Sequence, residues 1–212
     1  MNIQTPEKFI DLNKLGHKTI DFKKEAADLL KVVNLANNET DVQSYIKQNN
    51  KWFIPGSLIL NYDFGHHEAY VVPEQKLGAE YQVDYMLVGR NSMGYHVVLV
   101  EFEDVNVRYK IKSANQESKY VRQGLTQIND WRRWLDSNRN YFIANSGLST
   151  FSSSFPRWAF QYCLLVSRKE LMDDISNNLR GEITSEYSDL KIVSYDRLVE
   201  CTSRLRNNVN II

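Results

Sequence analysis

No segment of this sequence is apolar enough to cross a bilayer. The longest apolar runs, VVLV at 97–100 and CLLV at 163–166, fall far short of the roughly 20 residues a spanning helix needs. The N-terminus has no apolar signal-peptide core, so the expected location is the cytoplasm, with no membrane partner. Charge of one sign is also missing. The 26 basic and 26 acidic side chains cancel, which removes any global field that would steer the chain to nucleic acid or to anionic lipid. A polyanion would have to meet a local patch. There are only two cysteines, Cys163 and Cys201, and they lack metal-ligand or redox spacing, which excludes a disulfide scaffold and a zinc finger. A glycine-rich phosphate loop, a nucleophile elbow and a Ser-His-Asp set are all absent. His66 and His67 are adjacent, would point apart on a strand, and read as a surface loop. No internal repeat is found, and the Ser-rich stretch NSGLSTFSSSFPR is too short for a domain linker.

What remains is ordinary globular composition, 42% hydrophobic and 25% charged over 212 residues, enough for one sizeable core. Residues 19–35 place Phe22, Ala26, Leu29, Leu30 and Val33 at helical spacing, which predicts an amphipathic covering helix. A second helix is expected from near Glu39, with Glu39 and Gln43 one turn apart. SLILNY, EAYVV, YQVDYMLV and YHVVLVEF read as strands of a mostly antiparallel region. Helical period returns from Gln116 to Asp136, with Trp131 and Trp134 near the apolar stripe. WAFQYCLLVS suits a buried strand. Residues 169–180 then read as a helix, KIVSYD as a strand and RLVECTSRLR as a terminal helix. The expected class is α/β, a central mixed but mainly antiparallel sheet flanked by helices.

The stretch VDYMLVGRNSMGYHVVLVEFED, residues 83–104, carries three carboxylates in an otherwise apolar hairpin. Strand alternation puts Val97, Leu99, Glu101 and Glu103 on one face and His96, Val98, Val100 and Phe102 on the other. With NSMG as a four-residue turn, Arg90 faces Tyr95 and Asp84 falls opposite Glu101, with Cβ atoms about 5 Å apart. Two like charges that close repel unless a cation lies between them. Oxygen ligands on rigid strands suit Mg²⁺, which takes one or two carboxylates and keeps several waters. Solvent-facing edge carboxylates, or a structural pair sharing a proton, fit the same spacing. Glu80 is a reserve ligand on the same parity.

The next segment, NVRYKIK, alternates Arg108, Lys110 and Lys112 with apolar residues, so an extended chain would form a cationic ridge able to contact phosphates. A positively charged edge guarding against aggregation is the other reading. Arg122, Arg132 and Arg133 on the long helix extend the basic surface.

Four stretches, ETDVQSYIKQNNKWF, YQVDYMLVG with VVLVEFED, SKYVRQGLTQINDWRRWL and IVSYDRLVE, resemble the C-terminal domain of the Shedu anti-phage defence family, within the PD-(D/E)xK nuclease superfamily. The resemblance runs over about residues 36–200. It implies a restriction-endonuclease-like core over 36–212, preceded by a lead and covering helix over 1–35. It also implies a Mg²⁺- or Mn²⁺-dependent nuclease acting on DNA, and a homo-oligomer. On that pattern Asp84, Glu101 and the backbone carbonyl of Phe102 hold the metal, Glu39 is a further candidate ligand, and Gln127 completes the catalytic set with Glu103. Lys119, with Arg108, Lys110, Lys112 and Arg122, joins the nucleic-acid contacts. One departure stands out, because Glu103 occupies the place where the family pattern has lysine. A glutamate there can serve as general base or bind a second cation. It can equally mark a module that binds nucleic acid or a partner protein after losing the reaction. Paired carboxylates also suit glycoside hydrolysis, although no aromatic sugar platform is evident.

Overall fold

The computed structural model describes residues 6–16, 20–111 and 116–207. Six strands form one sheet in the order β1-β2-β3-β4-β5-β6: β1 (Ile10–Asp11), β2 (Glu68–Leu77), β3 (Tyr81–Asn91), β4 (Gly94–Phe102), β5 (Phe160–Leu165) and β6 (Leu190–Val193). Neighbours from β1 to β4 are antiparallel, whereas β4, β5 and β6 run parallel. The sheet is therefore mixed, as expected.

Tight turns build the antiparallel half. Gly78, at φ +64°, opens the β2–β3 loop in the left-handed region that favours glycine. Asn91 pairs with Gly94, so the β3–β4 turn is only Ser92 and Met93 rather than four residues. The Arg90↔Tyr95 register is the one predicted. A parallel pair needs a long crossover. Helix α5 (Lys119–Asn145) supplies it between β4 and β5, and α6 (Asp174–Glu186) between β5 and β6. Because the strand order advances in one direction, right-handed crossovers put both helices on one face. Val97, Leu99, Trp131, Ile128 and Leu164 form the core there.

The opposite face is covered by α1 (Leu12–Gly16), α2 (Phe22–Leu35), α3 (Glu39–Gln48), α4 (Phe53–Gly56) and α7 (Tyr195–Arg204). Leu29, Val33, Val42, Ile46 and Leu198 pack on Val98, Val100 and Phe102. The alternation read from β4 thus divides its side chains between two cores. Asn38 caps α3 by accepting from the Thr40 amide at 3.0 Å, with Glu39 and Asp41 in the first turn, where acids favour the helix dipole.

Three readings of the sequence change. SLILNY is not a strand: Ser57–Asn61 form a 3-10 turn that continues α4. The helix expected over 169–180 starts later, where Asp173 accepts from the Ser176 amide at 2.8 Å. Residues 106–111 do not form an extended ridge: among the described residues the segment's one bridge pairs Lys110 with Glu117, and Lys112 lies outside the described residues.

Candidate active site

Asp84, Glu101 and Glu103 meet at the end of β4 nearest α3. The β3–β4 register runs to Tyr85↔Val100, so its next step faces Asp84 with Glu101 on the α5 side of the sheet. An Asp84 oxygen accepts from the Phe102 amide at 2.7 Å, which locks the Asp84 side chain across the strand pair. Glu101 and Glu103 are 8% and 6% exposed, and Oε2 of Glu101 is buried without a hydrogen-bond partner. Leaving such an oxygen unpaired is costly.

Burial is the first cause of a raised proton affinity at all three carboxyls; nearby negative charge adds to it, from Asp84 and Glu103 at Glu101, from Glu39 and Asp84 at Glu103, and from Glu39 and Glu74 at Asp84. Asp84 is pushed up to about 6, Glu103 to about 7 and Glu101 to about 10. Amide side chains partly offset this, Gln43 of α3 at Asp84 and Gln127 of α5 at Glu101. Among the described residues no lysine, arginine or histidine forms an ion pair with Glu39, Asp84, Glu101 or Glu103. The cluster is short of positive charge.

Those features fit a divalent cation. The same residues do not form a closed cage, since among the described residues no three acidic, histidine or cysteine side chains converge as a ready ligand set. A cation here would take two carboxylates and complete its shell with carbonyl oxygen and water, the style of Mg²⁺.

Several neighbours were given no role at the site from the sequence, which paired Gln43 with Glu39 only by helical spacing. Gln43 is one helical turn beyond Glu39 and its role depends on how α3 crosses β3. Tyr195 is fully buried and donates its hydroxyl to the Glu103 carbonyl at 2.7 Å; its phenol is pushed far above the ordinary range by burial and so stays a donor. Glu74 lies across from Asp84 in the β2–β3 register, between Pro73↔Tyr85 and Gln75↔Val83. It holds a left-handed φ of +53°, a strain of about 1–3 kcal/mol. Its charge further raises Asp84, and Lys47 of α3 pairs with it at 2.7 Å. Gly124 of α5 admits Glu103: a Cβ there would come within 3.0 Å of Glu103 Cγ and 2.5 Å of Leu164 Cδ1.

Among the described residues, the other expected ones make no ion pair with the cluster. Arg108, Lys119 and Arg122 are exposed. Lys110 is turned to Asp173 at 3.6 Å with its side chain 15% exposed, tying the loop to the start of α6. Glu80 accepts from the Trp134 indole at 3.0 Å and so serves packing. Trp131 is fully buried, a core residue and not a stacking platform.

The fold and this cluster define an α/β protein with an uncompensated acidic site where adjacent strands end, roofed by helices that each contribute an amide side chain. The chain belongs to the family described as Shedu protein SduA, C-terminal, whose family model matches residues 36–199. No curated protein matches it. Among solved structures, restriction endonuclease FokI bound to DNA is similar at 10% identity and TM-score 0.39, over 88% of this chain and 30% of that chain. The chain thus spans under a third of FokI's length. Among the described residues no helix is long and apolar enough to cross a membrane.

Proposed function

We propose that this chain is a Mg²⁺- or Mn²⁺-dependent nuclease that hydrolyses DNA phosphodiester bonds in anti-phage defence. The observation that carries this reading is the buried carboxylate cluster, paired with no basic side chain among the described residues, and its orphaned Glu101 oxygen. Membership of the Shedu family supports it.

Asp84 and Glu101 would hold the ion. Phe102 turns its amide toward Asp84, and in extended chain the amide and carbonyl of one residue leave on the same side, so its carbonyl is the third oxygen. Glu39, whose charge is felt at all three carboxyls, would act from the helix side. A bound divalent ion would make a coordinated water more acidic and polarise the scissile phosphate. Glu103, buried beside the proposed ligands, would accept a proton from the attacking water. Gln43 and Gln127 hold Asp84 and Glu101 in orientation. Arg108, Lys119 and Arg122 are the exposed cations available to phosphates.

Linear and circular DNA incubated with Mg²⁺ tests the proposal. Cleavage should require the metal and fall at least ~10³-fold in Asp84→Asn and Glu101→Gln, with the fold retained. Undiminished cleavage by Asp84→Asn would overturn the assignment. Glu103 in place of lysine favours a second reading, a nuclease-fold module that binds nucleic acid or a partner protein without cutting. DNA binding by the wild type with no cleavage in Mg²⁺ or Mn²⁺ would select it.

A further inference from the structure

A groove of about 820 Å³ runs along β6 between α6 and α7, apart from the carboxylates. Strand β6 ends the sheet, paired only with β5. Lys169, Arg180, Lys191 and Arg197 line the groove with two acids, Asp196 and Glu200. Both acids are already engaged. Asp196 accepts from the Lys169 amide at 2.6 Å, and Glu200 pairs with Arg197 at 2.9 Å and Arg204 at 3.9 Å.

The other three cations are uncommitted. Lys169, Arg180 and Lys191 form no ion pair among the described residues. Arg180 reaches only the neutral Asn177 oxygen at 3.1 Å and the Met172 sulfur at 3.9 Å. The Lys191 ammonium lies 5.0 Å from the Tyr62 ring centre. A lone Lys191 would suffice to protect a short edge strand from pairing with another chain. Arg180 on α6 and Lys169 before it do nothing for that purpose, yet they converge on the same concavity.

The groove also opens at the catalytic end of the sheet. Ser194 and Asp196 line it, and Tyr195 between them donates to the Glu103 carbonyl. The Glu103 amide in turn donates to the Leu165 carbonyl at 2.8 Å, and Leu165 pairs with Val193 of β6. Three contacts thus join Glu103 to the groove wall, one through Tyr195 and two in series through Leu165 to Val193.

We infer that this groove carries the phosphodiester backbone of the DNA whose scissile bond lies at the carboxylates, an inference that rests on the proposed function. Lys169, Arg180 and Lys191 would each neutralise a phosphate without reading sequence. The test is binding of labelled DNA in EDTA across a salt series, for the wild type and the triple variant K169Q/R180Q/K191Q. Each lost phosphate contact lowers the log–log salt slope by about 0.9 for duplex DNA. The variant should therefore lose about two to three from the slope and bind on the order of tenfold or more weakly at moderate salt, with KM raised and kcat kept in Mg²⁺. Unchanged slope and affinity in the variant, beside a wild type that does bind, would overturn the groove assignment and leave the proposed function standing. Loss of self-association with DNA affinity kept would give the edge to a second copy of the chain, and equally overturn it. A wild type that binds no DNA would defeat the proposed function itself.

Discussion

Asp84, Glu101 and Glu103 hold their protons more tightly in the folded chain than exposed carboxyls do, because burial, and then the negative charge of neighbouring carboxylates, disfavours their ionised forms. The stability consequence has a definite sign. Between the ordinary carboxyl range near pH 4 and the folded values of about 6 and 7 at Asp84 and Glu103, the folded chain binds more protons than the unfolded one. Stability falls with rising pH wherever that holds. Thermal melts in EDTA should therefore show Tm decreasing from about pH 5 to pH 8, and Glu101→Gln should melt above the wild type at pH 8, because glutamine is neutral without the proton that folding otherwise forces Glu101 to keep. A wild-type Tm that climbs over that range would contradict the charge deficit. Much of this cluster was readable from the sequence. Asp84 opposite Glu101 followed from period-two alternation and one hairpin register, both local, and the register survived although the turn proved two residues shorter. Tyr195 and Glu74 were not readable, and Gln43 was placed one turn from Glu39 without a role, because each reaches the site from an element whose docking no local pattern specifies.

At the scale of elements, two helices set the geometry of the site. Helix α5 approaches β5 and the end of β4 through Gly124. Gly124→Ala gains about 1 kcal/mol of helix propensity, but its methyl would press on Leu164 and Glu103, and overpacking costs about 1–3 kcal/mol. The net expectation is a small loss of stability, read by denaturant melts, beside a larger loss of cleavage as Glu103 is displaced. Helix α3 carries Glu39, Gln43 and Lys47 at successive turns, reaching toward the cluster, Asp84 and Glu74 respectively. Gln43→Ala should weaken divalent-ion affinity roughly 10–100-fold, the usual cost of removing a group that orients a ligand, with little change in melting. The elements themselves were unevenly legible. Periodicity located α2, α3, β3 and β4 well because each shows a clean apolar stripe or alternation; it found α5 but ended it at Asp136, whereas the helix runs on to Asn145. It misplaced Ser57–Asn61, where a short apolar run fits a strand or a turn of helix equally. It also read a ridge into NVRYKIK, where the Lys110–Asp173 pair and the Lys110–Glu117 bridge shape a loop instead.

For the whole molecule, the mixed sheet explains why a site exists at this place. Antiparallel strands bring Asp84 beside Glu101, and the parallel half sends α5 back over the same face, delivering Gln127 and the Gly124 gap. The α/β class was legible from the order of strands and helices. The parallel pairing of β4, β5 and β6 was less so, since two crossovers had to be inferred from single helical stretches. Binding to the folded state alone raises stability by mass action, so Mg²⁺ at about 100 times its Kd should add about 2.7 kcal/mol and raise Tm in the wild type but not in Asp84→Asn. A calorimetric titration of Mn²⁺ into the wild-type chain at pH 8 measures the central claim most directly. The account predicts one saturable site that is lost in Asp84→Asn and Glu101→Gln. The absence of any heat of binding at millimolar Mn²⁺, or a site undiminished in both variants, would contradict it.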